Sequence, residues 1–148
     1  MKKELIVEIM IALMILLFLY ASFSKIVNMA AFRHAMNNQP FPKWFVEVVV
    51  WTLPSTEIAV AAALAFTKTR LYGLYAFIIL MGLFTLYISA ILLHLFPRVP
   101  CSCGGVIQLL GWGPHLVFNL FFIALSITCL NINRGSSKQQ KKNDIKNA

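Results

Sequence analysis

LYGLYAFIILMGLFTLYISAILLHLF, residues 71–96, decides the fold. It holds no Asp, Glu, Lys or Arg, and its histidine, His94, stands near its end. About 20 apolar residues rising about 1.5 Å each cross a hydrocarbon core about 30 Å thick. The run therefore predicts a transmembrane helix with length to spare for tilt or projection. A barrel strand would alternate apolar and polar residues, and this run does not.

Three more apolar runs lie around it. Leu5–Phe23 and Trp44–Phe66 precede it, and one from Pro114 to Leu130 follows. The predicted spans are 5–24, 44–67, 71–96 and 114–130. The expected fold class is all-α: a four-helix transmembrane bundle in one membrane domain, residues 1–130. Composition agrees. Of 148 residues, 59% are hydrophobic and 12% charged, against roughly half and a quarter in globular domains. Lipid, not water, is the expected neighbour of much of the surface, and no room remains for a separate soluble enzyme domain.

The first run follows Lys2 and Lys3 and ends on Ala21, Ser22 and Ser24, as a secretory signal would. Its apolar stretch exceeds the roughly 7–15 residues of a signal core, so it is read as a retained helix. The net charge of +8 invites comparison with nucleic-acid binders. The bases instead stand between and beyond the spans, where they set orientation, and no nucleic-acid partner is expected. Lys2, Lys3, Lys68, Arg70, Arg134, Lys138, Lys141, Lys142 and Lys146 fall on one side. Lys25, Arg33, Lys43 and Arg98 fall on the other. Nine against four puts both termini in the cytoplasm of a bacterial inner membrane and the loops 24–43 and 97–112 outside. The polar tail 131–148 cannot bury enough surface to fold alone and is expected to be disordered, with its bases near anionic lipid heads.

The outer loop 24–43 carries helical spacing at Ile26, Met29, Ala30, Arg33 and Met36, with Phe32 beside them. A short amphipathic outer helix is expected there, ended by Pro40 and Pro42 before the interfacial anchor Trp44. It is either a connector or a lid over an outward-facing site.

The loop before the last span reads Pro100-Cys101-Ser102-Cys103-Gly104-Gly105. Paired thiols outside the cytoplasm meet an oxidising compartment. A bond between i and i+2 lies near the Cα limit of about 6.8 Å, so it needs a turn, which Gly104 and Gly105 permit. Such a bond is strained, and strained, exposed disulfides are the labile, exchanging kind. Two other readings compete. A structural bridge this short closes almost no loop. A zinc or copper site would draw on Cys101, Cys103, His94 and His115. His115 follows Pro114 in the first turn of the last span, where the electropositive helix end favours thiolate nearby. Cys129, near the other end of that span, is a packing residue too distant to bond the pair.

Glu57 sits well inside the second span. Intramembrane ionisable groups face the bundle interior with a partner, and Lys25 can reach inward on its long stem. Glu47 is an alternative partner for Lys25 nearer the surface. The pair either locks helix register or serves a proton or quinone-related role. Pro54 predicts a kink in the same helix, and Ala59, Ala61, Ala62, Ala63 and Ala65 allow close packing. Asn119, one turn after His115 on the same face, can hydrogen-bond within the bundle. No phosphate loop, dinucleotide fingerprint, nucleophile elbow or zinc-protease helix is present.

Three pieces in order resemble the MauE/DoxX family of redox-associated membrane proteins. They are Ala21-Ser22-Phe23-Ser24-Lys25-Ile26, Leu53-Pro54-Ser55-Thr56-Glu57 and Pro100-Cys101-Ser102-Cys103-Gly104-Gly105. Together they span nearly all of the chain before the tail, and the paired cysteines resemble the MauE branch, named for methylamine utilisation. Here Gly104 follows Cys103 directly where relatives often place Phe, and Ser24 stands where many have Gly. The resemblance implies a role in disulfide maturation of a periplasmic enzyme, with a thioredoxin-like partner. Relatives in the broad family are linked to quinones, but no quinone site is legible here and no resident cofactor is assigned. Two readings from other classes stand beside exchange: a non-catalytic subunit of a membrane complex, and metal binding or transport.

Overall fold

The computed structural model describes residues 2–95 and 111–146, with side chains for 4–95 and 111–133. Five helices follow one another: α1 (Lys2–Val27), α2 (Met29–Asn37), α3 (Lys43–Ala65), α4 (Arg70–Leu92) and α5 (Trp112–Lys146). Among the described residues there is no strand. The segments Glu4–Val27, Lys43–Ala65, Arg70–Leu92 and Trp112–Asn133 are long and apolar enough to cross a membrane. The chain is an all-α, multi-pass membrane protein.

Connectivity and packing define a ring. α1 packs against α3 and α5, and α4 packs against the same two. Successive spans run in opposite directions, so each neighbour in the ring α1–α3–α4–α5 is antiparallel. The pairs α1/α4 and α3/α5 are left on the diagonals. The centre is filled by Met14, Phe18, Leu64, Leu74 and Phe77, all buried. Phe18 and Phe77 stack across the α1/α4 diagonal with ring centroids 4.4 Å apart. A second cluster, Phe32, Met36, Val46 and Val50, seats α2 on the start of α3.

The α3–α4 turn is tied down by chemistry. Arg70 binds Glu8 of α1 at 2.6 Å, and the Thr69 hydroxyl donates to the Ala63 carbonyl at 2.9 Å. Carbonyls at a helix end lack intrahelical donors, and Thr69 supplies one. Gly73 lets α4 approach α3 closely: a Cβ there would lie 2.8 Å from the Leu64 backbone nitrogen.

The outward surface is apolar, with Leu16, Phe23, Trp51, Tyr72, Leu86 and Val117 exposed. Lipid offers hydroxyls no partner, and the exposed ones on α3 turn back onto their own helix. Thr52 donates to Val48 O at 2.7 Å, Ser55 to Trp51 O at 2.9 Å and Thr56 to Thr52 O at 2.7 Å. Pro54 sits inside α3 without ending it.

Three details differ from the sequence expectation. The third span ends at Leu92, not Phe96. His94 adopts φ 55° and its N–H reaches Ile91 O at 3.0 Å, while Leu95 N–H reaches Ala90 O at 3.1 Å. These two bonds make a Schellman cap with His where Gly is usual, and hydropathy alone does not register such a stop. The last helix begins at Trp112 and continues through Lys146, beyond the expected end at Leu130. Extending an existing helix needs no new nucleus. The face by which α2 docks is Phe32, Ala35 and Met36, while Ile26 and Ala30 are exposed. The break at Asn28 (φ −111°, ψ 44°) restarts the helical phase, so a period carried over from α1 does not apply.

Candidate functional site

Most of the buried polar residues of the bundle, Ser22, Lys25, Gln39, Glu57, His115 and Asn119, gather in its half nearest α2. Lys25 stands close to the C-terminus of α1. Side chains on a helix lean toward its N-terminus, which for Lys25 means into the membrane. Glu57 leans the opposite way along the antiparallel α3, and the two meet. Lys25 Nζ donates to Glu57 Oε1 at 2.8 Å, to Oε2 at 3.0 Å and to the Ala21 carbonyl at 3.2 Å. Lys25 is 3% exposed and Glu57 1%. The ammonium has three protons, and each has an acceptor. The alternative partner, Glu47, is taken instead by Arg33 at 3.2 Å on the exposed side. Ser22, one turn before Lys25, donates to Pro54 O at 3.0 Å. Two polar ties thus fix the register of α1 against α3.

Beside the ion pair lies a cavity of about 430 Å³. Leu17, Phe18, Ala21 and Lys25 of α1 line one wall, and Phe45, Val49, Leu53 and Glu57 of α3 another. α4 contributes Leu80 to Phe84 in part, and Tyr87; α5 contributes Trp112, His115, Phe118 and Asn119. Phe32 and Met36 of α2, with Gln39 and Phe41 after it, close the end. The Phe32 ring centroid is 6.0 Å from Lys25 Nζ, within reach of a cation–π attraction.

At the cavity's end the Tyr87 hydroxyl donates to Gln39 Oε1. Gln39 Nε2 in turn donates to Ala35 O at 3.2 Å. The Tyr87 ring meets Phe41 at 5.7 Å and Trp112 at 6.4 Å. These contacts join α4, the α2–α3 connection and the start of α5. His115 and Asn119, four residues apart on one face of α5, are buried in the same wall. Asn119 is 2% exposed, and its Nδ2 has no hydrogen-bond partner among the described residues.

The structure thus brings Lys25, Glu57, His115 and Asn119 to one cavity. His94 does not join them there; its backbone forms the cap of α4. Cys101, Cys103, Gly104 and Gly105 lie outside the described residues. Among the described residues no cluster of three or more His, Cys, Asp or Glu side chains could hold a metal. Cys129 is fully buried in the central core. Sequence reasoning missed Gln39, Tyr87 and Trp112 as members of the site. Aromatic residues near span ends are ordinary interfacial anchors, so neither ring announced itself. A Gln just before Pro40 in a loop carried no signal either.

The model of a family described as "Methylamine utilisation protein MauE" matches residues 3–132, which takes in all four spans and the Cys-x-Cys. Neither the comparison with curated proteins nor that with solved structures gives a match.

Proposed function

The chain belongs to the MauE family, and from that premise we propose that it is an integral membrane thiol–disulfide exchange protein. Cys101 and Cys103 are the exchanging pair, facing the outer side of a bacterial cytoplasmic membrane. The partner is a thioredoxin-like protein outside the cytoplasm that matures a client enzyme. One observation carries the reading. The residues that flank the cysteine-bearing segment are held at the cavity's end, with Tyr87 of α4 against Trp112 of α5. Both anchors therefore sit at the Lys25 end of the bundle, the end that the distribution of bases assigns to the outside.

The exchange balances in two steps. A thiolate of the reduced partner attacks one sulfur of a Cys101–Cys103 disulfide. That S–S bond breaks, a mixed disulfide forms, and the other cysteine leaves as a thiolate. The partner's second thiolate then attacks the mixed disulfide and takes the new bond. This chain gains two electrons and, with two protons from solvent, ends as a dithiol. The reverse sequence returns them. The N-terminus of α5, at Trp112, lends positive potential that favours the thiolate leaving group.

Cys101→Ser and Cys103→Ser, expressed separately in intact cells, test the reading. One of them should accumulate a reducible adduct with an outer thioredoxin-like protein. If neither does, and Cys101→Ala/Cys103→Ala keeps full function, the chain is an accessory subunit without chemistry of its own. Stoichiometric zinc or copper in the purified protein, lost on changing His94 and His115, would favour a metal role instead.

A further inference from the structure

A groove on the uncovered side of α2 lies apart from the central cavity. It measures about 530 Å³ and is lined by Met29, Ala30, Arg33, His34 and Asn37 of α2 and by Trp51 of α3. We propose that it seats the headgroup of one phosphatidylethanolamine molecule, with the phosphate on Arg33 and His34 and the ammonium on Glu47.

Position selects a lipid. α2 buries Phe32, Ala35 and Met36, packed on the start of α3. Ala30, Arg33 and Asn37, spaced three and four residues apart, form its uncovered face. α3 begins at Lys43, beside the exposed Trp44, and Lys and Trp at the end of a span mark the membrane interface. Trp51 stands eight residues along α3, about 12 Å from that end. The groove thus runs from headgroup depth to the top of the acyl region. Below it Trp51, Ser55 and Ile58 share an exposed face of α3, on which an acyl chain can lie.

Charge selects the headgroup. Arg33 and Glu47 meet at 3.2 Å between α2 and α3, with side chains 41% and 52% exposed. Both ions are within reach of a lipid, and neither sign dominates. His34 adds a donor. Asn38 Nδ2 can only donate, so its 3.4 Å contact with His34 Nδ1 places the proton of the neutral ring on Nε2. A phosphodiester is an anionic acceptor, which suits a guanidinium and an imidazole N–H. A primary ammonium has three protons to donate, which suits a carboxylate. Phosphatidylethanolamine carries both groups. An anionic headgroup without the ammonium would meet Glu47 uncompensated, and a quaternary ammonium has no proton to give.

The dioleoyl forms of phosphatidylethanolamine, phosphatidylglycerol and phosphatidylcholine differ in headgroup alone. Native mass spectrometry of the purified full-length chain, released from detergent with each lipid, measures retention. The wild type should retain the ethanolamine lipid about five- to tenfold more strongly than either other, the factor carried by one net hydrogen bond. Glu47→Gln should erase the preference over phosphatidylcholine, and Arg33→Met should weaken retention of all three. Lys43→Gln, which removes an exposed charge outside the groove, should change nothing. An exposed ion pair contributes little to folding, so both groove variants should fold.

Equal retention of the three lipids by the wild type overturns the proposal without any variant. So does tightest retention of phosphatidylglycerol, the result that a basic surface alone would give. A preference that survives Glu47→Gln, or retention unchanged in Arg33→Met, overturns it too. Glycerophosphoethanolamine, the same headgroup without acyl chains, should not displace the lipid in equal amount. Displacement would make the occupant a soluble phosphodiester and sink the lipid assignment. None of these readouts involves the cysteines.

Discussion

Phe18 and Phe77 stack at 4.4 Å across the long diagonal of the bundle, joining two helices, α1 and α4, that do not otherwise pack as neighbours. Phe18 also lines the cavity, so this contact is where the packed half of the bundle gives way to the polar half. Phe77→Ala should cost about 3–5 kcal/mol of stability, the usual penalty for deleting a fully buried ring. Phe23→Ala, whose ring is 69% exposed, should cost almost nothing. Denaturant titration in micelles compares the two; equal losses would mean that the diagonal contact does not hold the bundle.

The Lys25–Glu57 pair should behave as a unit. Lys25→Met or Glu57→Leu alone leaves one buried charge uncompensated, at about 3–5 kcal/mol. The double variant removes both charges and should recover most of that loss. A double-mutant cycle on unfolding measures the coupling. Additive losses would show that the two side chains act separately.

Gly73 and Gly82 lie on the same helix and should respond oppositely. A Cβ at 73 meets α3 backbone at 2.8 Å, and one at 82 meets nothing within 4 Å. Gly73→Ala should destabilise by about 1–3 kcal/mol, as overpacking does. Gly82→Ala should be neutral or gain up to about 1 kcal/mol from helix propensity. Thermal unfolding of the two variants in parallel decides.

His94 supplies a left-handed cap at the end of α4. An L-residue there costs about 1–2 kcal/mol, more than the roughly 0.5–1 kcal/mol of backbone entropy that glycine adds. His94→Gly should therefore raise stability by about 0.5–1 kcal/mol and leave function intact, as followed by unfolding and complementation. Lost function with a stable fold would assign the imidazole a role that the backbone does not explain.

The spans were legible because lipid leaves one readable demand, a continuous apolar run. Glu57 and Lys25 were legible for the complementary reason: an ionisable group within such a run needs a partner, and few candidates existed. The end of α4 was not legible, since His94 and Leu95 stop the helix through backbone bonds while the composition stays apolar. Nor was the ring order of the helices, which depends on features such as the close approach at Gly73. Tyr87 and Trp112 entered the site through that order, bringing together residues far apart in the chain. Asn119 was singled out for its polarity, but its place in the cavity wall beside His115 is a property of the packed bundle.

The ion pair also constrains the order of biogenesis. Taken alone, α1 brings an ammonium and α3 a carboxylate to the bilayer without a counter-charge, and each is costly there. Paired, they present lipid with a neutral hairpin whose connecting arm is α2. The first two spans should therefore enter the membrane as a pair, before α4 and α5 complete the ring.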